Sequence, residues 1–142
     1  MLSILRNRFA HRVGCPVRLF ATDAVATVDA SRFEIDVALA LDTIYEVAEA
    51  KLPDSMNSLQ EGVLKIELTH KDRDFTFILN KHFLTKQIWY SSPVIGPAYF
   101  DAQTTQGKRW WSFKLNRDVF DQLQSDIKTA TNGDEDLDFH AT

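Results

Sequence analysis

The stretch Lys86–Pro97 decides the fold, and it reads Lys-Gln-Ile-Trp-Tyr-Ser-Ser-Pro-Val-Ile-Gly-Pro. Its first half has the β-branched and aromatic residues of a strand, and the serine, glycine and proline residues that follow end the strand with turn chemistry. Side chains alternate along a strand, so Ile88 and Tyr90 share one face and Trp89 takes the other. The indole is therefore either part of a hydrophobic core or an exposed contact residue.

Helices and strands on both sides of this stretch predict an α+β domain. Apolar residues recur at helical spacing from Ser31 to Lys51, and a second helix starts at Asn116 or Asp118 and ends near Asn132-Gly133. Between the helices, alternating apolar runs indicate antiparallel strands over residues 63–68, 74–80, 86–90, 98–102 and 109–113. We expect two helices packed on one face of an antiparallel sheet of about five to six strands.

The sheet face without helices, called here the open face, should meet solvent and be mainly polar. If Ile88 and Tyr90 point under the helices, Trp89 points to the open face. An apolar side chain exposed there is a candidate contact for another molecule. Burial of Trp89 in a core is the alternative interpretation.

The 142 residues suit one domain preceded by a basic leader. Residues 1–20 contain Arg6, Arg8, Arg12 and Arg18 among apolar side chains and no acid, which is the composition of a mitochondrial transit peptide. The alternative is a cationic tail that stays attached. We expect a flexible segment at 21–28, the folded domain at 29–131 and an acidic, mobile tail at 132–142.

Charge and cysteine content limit the function classes. The chain has 16 basic and 20 acidic residues, and removal of the leader's four arginines leaves 12 against 20, a net charge of −8. An acidic body repels phosphate backbones, so nucleic acid is not an expected partner. No apolar run approaches the ~20 residues of a membrane span. The single cysteine, Cys15, lies in the leader, so the processed domain would have no thiolate for an iron–sulfur cluster of its own.

Carboxylates cluster on one side of the first predicted helix. At ~100° per residue, Asp42, Glu46 and Glu49 fall within about 60° of one another, with Glu34 at the edge of the group. Asp54 extends the group beyond the helix end, and Glu61 and Glu67 are further candidates. Carboxylate oxygens suit hard cations such as Fe(II), Fe(III), Mn(II), Ca(II) and Mg(II), held weakly and partly hydrated. The alternative is a solvated helix face that lacks lysines.

The histidines offer no metal-ligand spacing. His70, His82 and His140 are not paired with another histidine or cysteine, and we expect each to be an exposed polar residue. Phosphate-binding loops and nucleophile elbows are absent from the sequence.

The sequence resembles the frataxin family in the motif Lys86-Gln87-Ile88-Trp89, in Ser91-Ser92-Pro93 and in Gly96-Pro97. Gly62-Val63-Leu64, Leu79-Asn80-Lys81 and Gly107-Lys108 with Trp110 resemble further family marks in the same order, over about residues 29–131. The resemblance implies a helix–sheet–helix sandwich with Trp89 on the open face. It also implies iron binding by an acidic ridge, for which Glu34, Asp42, Glu46, Glu49 and Asp54 match acidic positions.

The chain departs from the family pattern on both surfaces. Ala38, Leu39, Ala50 and Met56 stand where relatives often have acids, so the ridge is thinned. Tyr99 replaces an arginine that relatives use in partner contacts.

The resemblance further implies a mitochondrial matrix protein that supports iron–sulfur cluster assembly on a cysteine desulfurase–scaffold complex and delivers iron. Asn80, Gln87 and Trp89 would meet the scaffold, while the ridge would meet iron and basic desulfurase surfaces. A monomer that forms iron-dependent oligomers is expected. Two alternatives stay open: a ferroxidase or iron-storage protein that oxidises Fe(II) on the ridge, and an interaction module that uses no metal.

Overall fold

The computed structural model describes residues 29–102 and 110–140. The predicted transit peptide, the segment 21–28, the Gly107-Lys108 motif and the last two residues lie outside this part of the chain.

Two helices form where the apolar spacing predicts them. Helix α1 (Ala30–Lys51) begins after Asp29, whose side chain accepts a hydrogen bond from the Ser31 amide at 3.3 Å. Helix α2 (Val119–Ala130) begins after Asp118, which accepts from the Phe120 amide at 2.8 Å. Neither helix of the described part is long and apolar enough to cross a bilayer.

Seven antiparallel strands form one sheet in which each strand pairs with its neighbour in sequence. All five predicted strands are present, and the sheet gains two more, at Ser55–Gln60 and Arg117–Asp118. The strands are β1 (Ser55–Gln60), β2 (Val63–His70), β3 (Arg73–His82), β4 (Gln87–Ser92), β5 (Gly96–Ala102), β6 (Trp110–Ser112) and β7 (Arg117–Asp118).

The core lies between the two helices and one face of the sheet. Alternate strand residues point toward it, and Ile88 and Tyr90 are among them, as the strand pattern predicts. Phe33 of α1 packs edge-on against Trp110 of β6 with ring centroids 5.8 Å apart. The predicted α+β class, with both helices on one face of an antiparallel sheet, is confirmed. Core members from the helices and the sheet include Phe33, Val37, Leu41, Ile44, Leu64, Ile66, Phe77, Leu79, Ile88, Tyr90, Phe100, Trp110, Val119, Leu123 and Ile127.

The C-terminal segment 134–140 packs on the domain, in contrast to the mobile tail that its acidity predicts. Leu137 and Phe139 are 4% and 1% exposed and belong to the core. The Phe139 amide donates a hydrogen bond to Gln124 Oε1 of α2 at 3.2 Å. Asp134 Oδ2 lies 3.0 Å from Nε2 of His70, a residue of β2. Burial of these two large apolar side chains outweighs the charge repulsion among the four acids of the segment, Asp134, Glu135, Asp136 and Asp138.

Candidate functional site

The acidic ridge runs along the outer side of α1. The helical spacing that buries Phe33, Leu41 and Ile44 places Asp42 and Glu46 on the solvent side of the helix. Glu49 and Asp54 are exposed as well, and Glu34 is half-buried. Four of the five predicted carboxylates therefore face water. Helical geometry predicts this for Asp42, Glu46 and Glu49, whereas Asp54 lies beyond the helix end.

Glu34 is not a free carboxylate. Its Oε2 atom accepts a hydrogen bond at 2.8 Å from Nζ of Lys81, which extends from β3. The stem of Lys81 lies over Gly62, so closely that a Cβ at Gly62 would stand 2.8 Å from the lysine Cε. Helix periodicity predicts a face without lysines, but the sheet supplies one. A cation bound at Glu34 must first displace this ammonium group.

Glu49 is also engaged, by a neutral group. Asn57 of β1 donates from Nδ2 to Glu49 Oε1 at 2.8 Å and to Ser55 Oγ at 2.9 Å. This bond orients one carboxylate oxygen toward the sheet and leaves the second oxygen available to a cation.

The remaining ridge acids are open. Within residues 29–102 and 110–140, Asp42, Glu46 and Asp54 take part in no ion pair. Glu67 was a predicted extension of the ridge, but it lies on the open face of the sheet. Its Oε1 atom is 2.8 Å from Nζ of Lys65. The ridge thus presents exposed carboxylates without ion-pair partners, among them Asp42 and Glu46, in the described part of the chain.

Trp89 lies on the open face, as the strand pattern predicts, with 37% of its surface exposed. Its ring stacks on His82 with centroids 3.8 Å apart and planes 5° from parallel, and it meets Tyr99 edge-on at 5.4 Å. Its Nε1–H donates to Gln87 Oε1 at 3.2 Å, and Gln87 in turn donates to Asp101 Oδ1 at 2.9 Å. The indole is held on two sides while its remaining surface is accessible.

The register of the sheet brings the three predicted contact residues together. Asn80 of β3 is the cross-strand partner of Trp89, and Tyr99 of β5 is its partner on the other side. Gln87 precedes Trp89 on the same face by two residues. His82 was missed as a member of this patch, although its spacing of two from Asn80 places it on the same face.

A buried polar network fixes β4 against α2 directly behind this patch. Tyr90 Oη donates to Asp126 Oδ2 at 2.7 Å, and Gln122 Nε2 donates to Asp126 Oδ1 at 2.8 Å. Tyr90 and Asp126 are each 2% exposed. Burial raises the pKa of the Tyr90 hydroxyl well above its usual range, and the neighbouring Asp126 charge acts in the same direction.

Ser92 has the turn role that its sequence context predicts. Its hydroxyl accepts the Val94 and Ile95 amides at 3.0 and 3.3 Å. This side chain therefore ends β4 and caps the turn that follows it.

One group of possible metal ligands is not visible from the spacing of histidines and acids in the sequence. Asp118 and Asp121 at the start of α2 meet His140 of the C-terminal segment, and the three ligand atoms lie within 4.8 Å of one another. His140 is an exposed histidine, as predicted, but it is not isolated. Residues 19 and 22 apart in sequence show no local motif, so only the packing of the tail reveals this group.

Comparison with known proteins agrees with this fold and identifies its family. The sequence model of the frataxin-like domain matches residues 26–133. The frataxin-like mitochondrial protein of Leishmania donovani is 30% identical over 140 residues, covering 86% of this chain and 71% of the relative. Mitochondrial frataxin of Caenorhabditis elegans is 29% identical over 143 residues, covering 98% and 97% of the two chains.

Solved structures show the same architecture. Frataxin from Psychromonas ingrahamii superimposes with a TM-score of 0.65 at 17% identity, covering 79% of this chain and 98% of that one. Trimeric frataxin of Saccharomyces cerevisiae, complexed with ferrous iron, gives a TM-score of 0.53 at 25% identity and covers 75% and 88%.

The curated relatives are named mitochondrial proteins, which supports a mitochondrial location for this chain as the leader predicts. The domain match spans most of the described fold, including α1, the sheet and α2. This chain belongs to the frataxin family.

Proposed function

We propose that this chain is an iron-binding accessory protein of iron–sulfur cluster assembly in the mitochondrial matrix. It acts on a cysteine desulfurase–scaffold complex and delivers Fe(II) to it. The observation that carries the proposal is the division of the surface: solvent-facing carboxylates on α1, and an anchored, accessible Trp89 on the open face.

The ridge has the chemistry of a loading site for iron as cargo. Carboxylate oxygens bind Fe(II), and a site open to water releases its ion readily. The proposed ligands are Glu34, Asp42, Glu46, Glu49 and Asp54, with Asp42 and Glu46 unpaired, and Glu34 available only when Lys81 moves away. A trimeric yeast frataxin is complexed with ferrous iron, which supports iron binding by this chain. The trimeric state of these relatives supports oligomers as well.

The open face has the chemistry of a protein contact. A tryptophan at the centre of an interface often contributes ~2 kcal/mol or more to binding. Its hydrogen bond to Gln87 and its stack on His82 reduce the entropy lost when a partner fixes the ring. Asn80 and Gln87 beside it supply the polar contacts that orient a scaffold protein.

Sulfide production by the desulfurase–scaffold complex tests the protein contact. Trp89→Ala should weaken binding about 30-fold or more, from the ~2 kcal/mol above, and lower the stimulation accordingly. Its free energy of unfolding should change by only about 1 kcal/mol, because the ring is partly exposed. Met56→Ala, which removes another exposed apolar side chain of the open face, is the matched control. Equal effects of the two variants would remove Trp89 from the contact.

Anaerobic Fe(II) titration followed by amide chemical shifts tests the ridge. Asp42→Asn and Glu46→Gln should each weaken the shifts along α1, whereas Asp72→Asn, in the exposed β2–β3 turn, should not. Oxygen consumption measured on the same samples separates iron loading from ferroxidase activity. Unchanged stimulation of the complex without iron would favour the interaction module.

A further inference from the structure

A second group of possible metal ligands lies where the start of α2 meets the C-terminal segment. His140 Nε2 lies 2.9 Å from Asp121 Oδ1 and 4.0 Å from Asp118 Oδ1. The two aspartates come from the cap and the first turn of α2, and the imidazole comes from the C-terminal segment. This group, Asp118, Asp121 and His140, is called the α2–tail cluster.

The donor set and spacing suit a borderline divalent ion such as Zn²⁺ or Co²⁺. Nitrogen and oxygen ligands at ~2.0–2.2 Å in tetrahedral geometry stand roughly 3.4 Å from one another. The two measured separations, 2.9 and 4.0 Å, lie on either side of that value, so small side-chain rotations suffice. The imidazole distinguishes this cluster from the ridge, whose ligands are all oxygens and favour harder ions.

The cluster also has a fixed member and an accessible one. Asp118 is 3% exposed, and the Phe120 amide, which donates to its Oδ1 atom at 2.8 Å, fixes the orientation of the carboxylate. His140 is held edge-on against Phe120 at 5.3 Å, and its backbone amide donates to Asp138 Oδ1 at 2.9 Å. About half of its side chain is exposed, so an ion has a path from solvent. The positive end of the helix dipole opposes a cation there, and two carboxylates offset it.

We propose that Asp118, Asp121 and His140 form a three-ligand site for a divalent ion of the Zn²⁺ and Co²⁺ class, which fastens the C-terminal segment to α2. The remaining coordination positions face solvent and hold water. The site is separate from iron loading, since none of the five ridge carboxylates belongs to it.

Zn²⁺ titration of the full chain by calorimetry, with thermal unfolding beside it, tests the proposal. One equivalent should bind, and a hundredfold excess over the dissociation constant should raise Tm by roughly 5–10 °C. His140→Ala and Asp121→Asn should each weaken binding about tenfold or more. Asp121→Asn keeps an oxygen that accepts from the imidazole, so it isolates the lost charge from the lost hydrogen bond. His82→Ala, which removes an imidazole elsewhere, should bind as the wild type does.

Two results would overturn the proposal. One is binding that survives both cluster variants and disappears in Asp42→Asn or Glu46→Gln, which would assign Zn²⁺ to the ridge. The other is a wild-type dissociation constant weaker than about 1 mM, which would show that the His140–Asp121 contact is only a structural ion pair. Circular dichroism of each variant excludes loss of fold as the cause of lost binding.

Discussion

Removal of the Tyr90 hydroxyl should destabilise the domain without leaving a cavity. In Tyr90→Phe the ring keeps its place in the core, edge-on to Phe100 at 6.1 Å, while the bond to Asp126 Oδ2 and the weaker contact with Ser92 are lost. A hydrogen bond to a charged group contributes ~1.5–3 kcal/mol, and an acceptor left buried without a partner costs a similar amount. Gln122 still satisfies the other carboxylate oxygen. We expect a loss of about 2 kcal/mol.

Urea unfolding followed by circular dichroism measures this loss. For a domain of this size about 2 kcal/mol corresponds to a fall in Tm of roughly 8 °C. The slope of the unfolding transition should stay the same, because the exposed area does not change. Tyr99→Phe is the matched control: its hydroxyl is on a half-exposed ring of the open face, and its loss should cost less than about 0.5 kcal/mol. Equal, small losses in both variants would refute the assignment of the Tyr90–Asp126 bond as a stabilising contact.

Three further expectations follow from individual contacts. Burial raises the pKa of the Tyr90 hydroxyl, so the contribution of this hydroxyl to folding stability is complete below pH ~10 and is lost as the pH rises above it. The free energy of unfolding, measured from pH 9 to 11, should therefore fall more steeply in the wild type than in Tyr90→Phe. Gly62→Ala should lower Tm more than Gly133→Ala does. Both glycines have φ near +80°, but only the methyl group added at Gly62 contacts Lys81. Equal losses would show that the contact with Lys81 does not contribute to the effect. Lys81→Met should strengthen Fe(II) binding about threefold to tenfold in anaerobic titration, since it frees the Glu34 carboxylate, and unchanged affinity would exclude Glu34 as a ligand.

Local patterns were sufficient for the main elements and for the orientation of Trp89. The helical spacing of Phe33, Leu41 and Ile44 identifies the buried side of α1, and strand alternation turns Ile88 and Tyr90 inward. These features depend on residues close in sequence, for which backbone periodicity is a direct guide.

Strand β1 was not predicted, because its sequence lacks the apolar periodicity of a strand. Its sequence, Ser-Met-Asn-Ser-Leu-Gln, has only two apolar residues, and they fall on opposite faces: Met56 is exposed and Leu59 packs against the core. Pairing with β2 holds the strand in place, so its identity depends on a neighbour more than on its own composition.

Long-range contacts account for the rest of what the sequence did not predict. Lys81 reaches Glu34 across 47 positions, and His140 reaches Asp121 across 19. No local pattern encodes either contact. The segment 134–140 does carry a local signal, since Leu137 and Phe139 alternate with acids as in a half-buried strand, and this alternation indicates burial where net charge alone predicts a mobile tail.

The packing of Leu137 and Phe139 also has a consequence for recombinant expression. The frataxin-like match stops at residue 133, yet these two side chains, which follow it, belong to the centre of the fold. A fragment cut at that boundary would lack two buried side chains and should aggregate or unfold more readily, so expressed fragments should extend beyond Phe139.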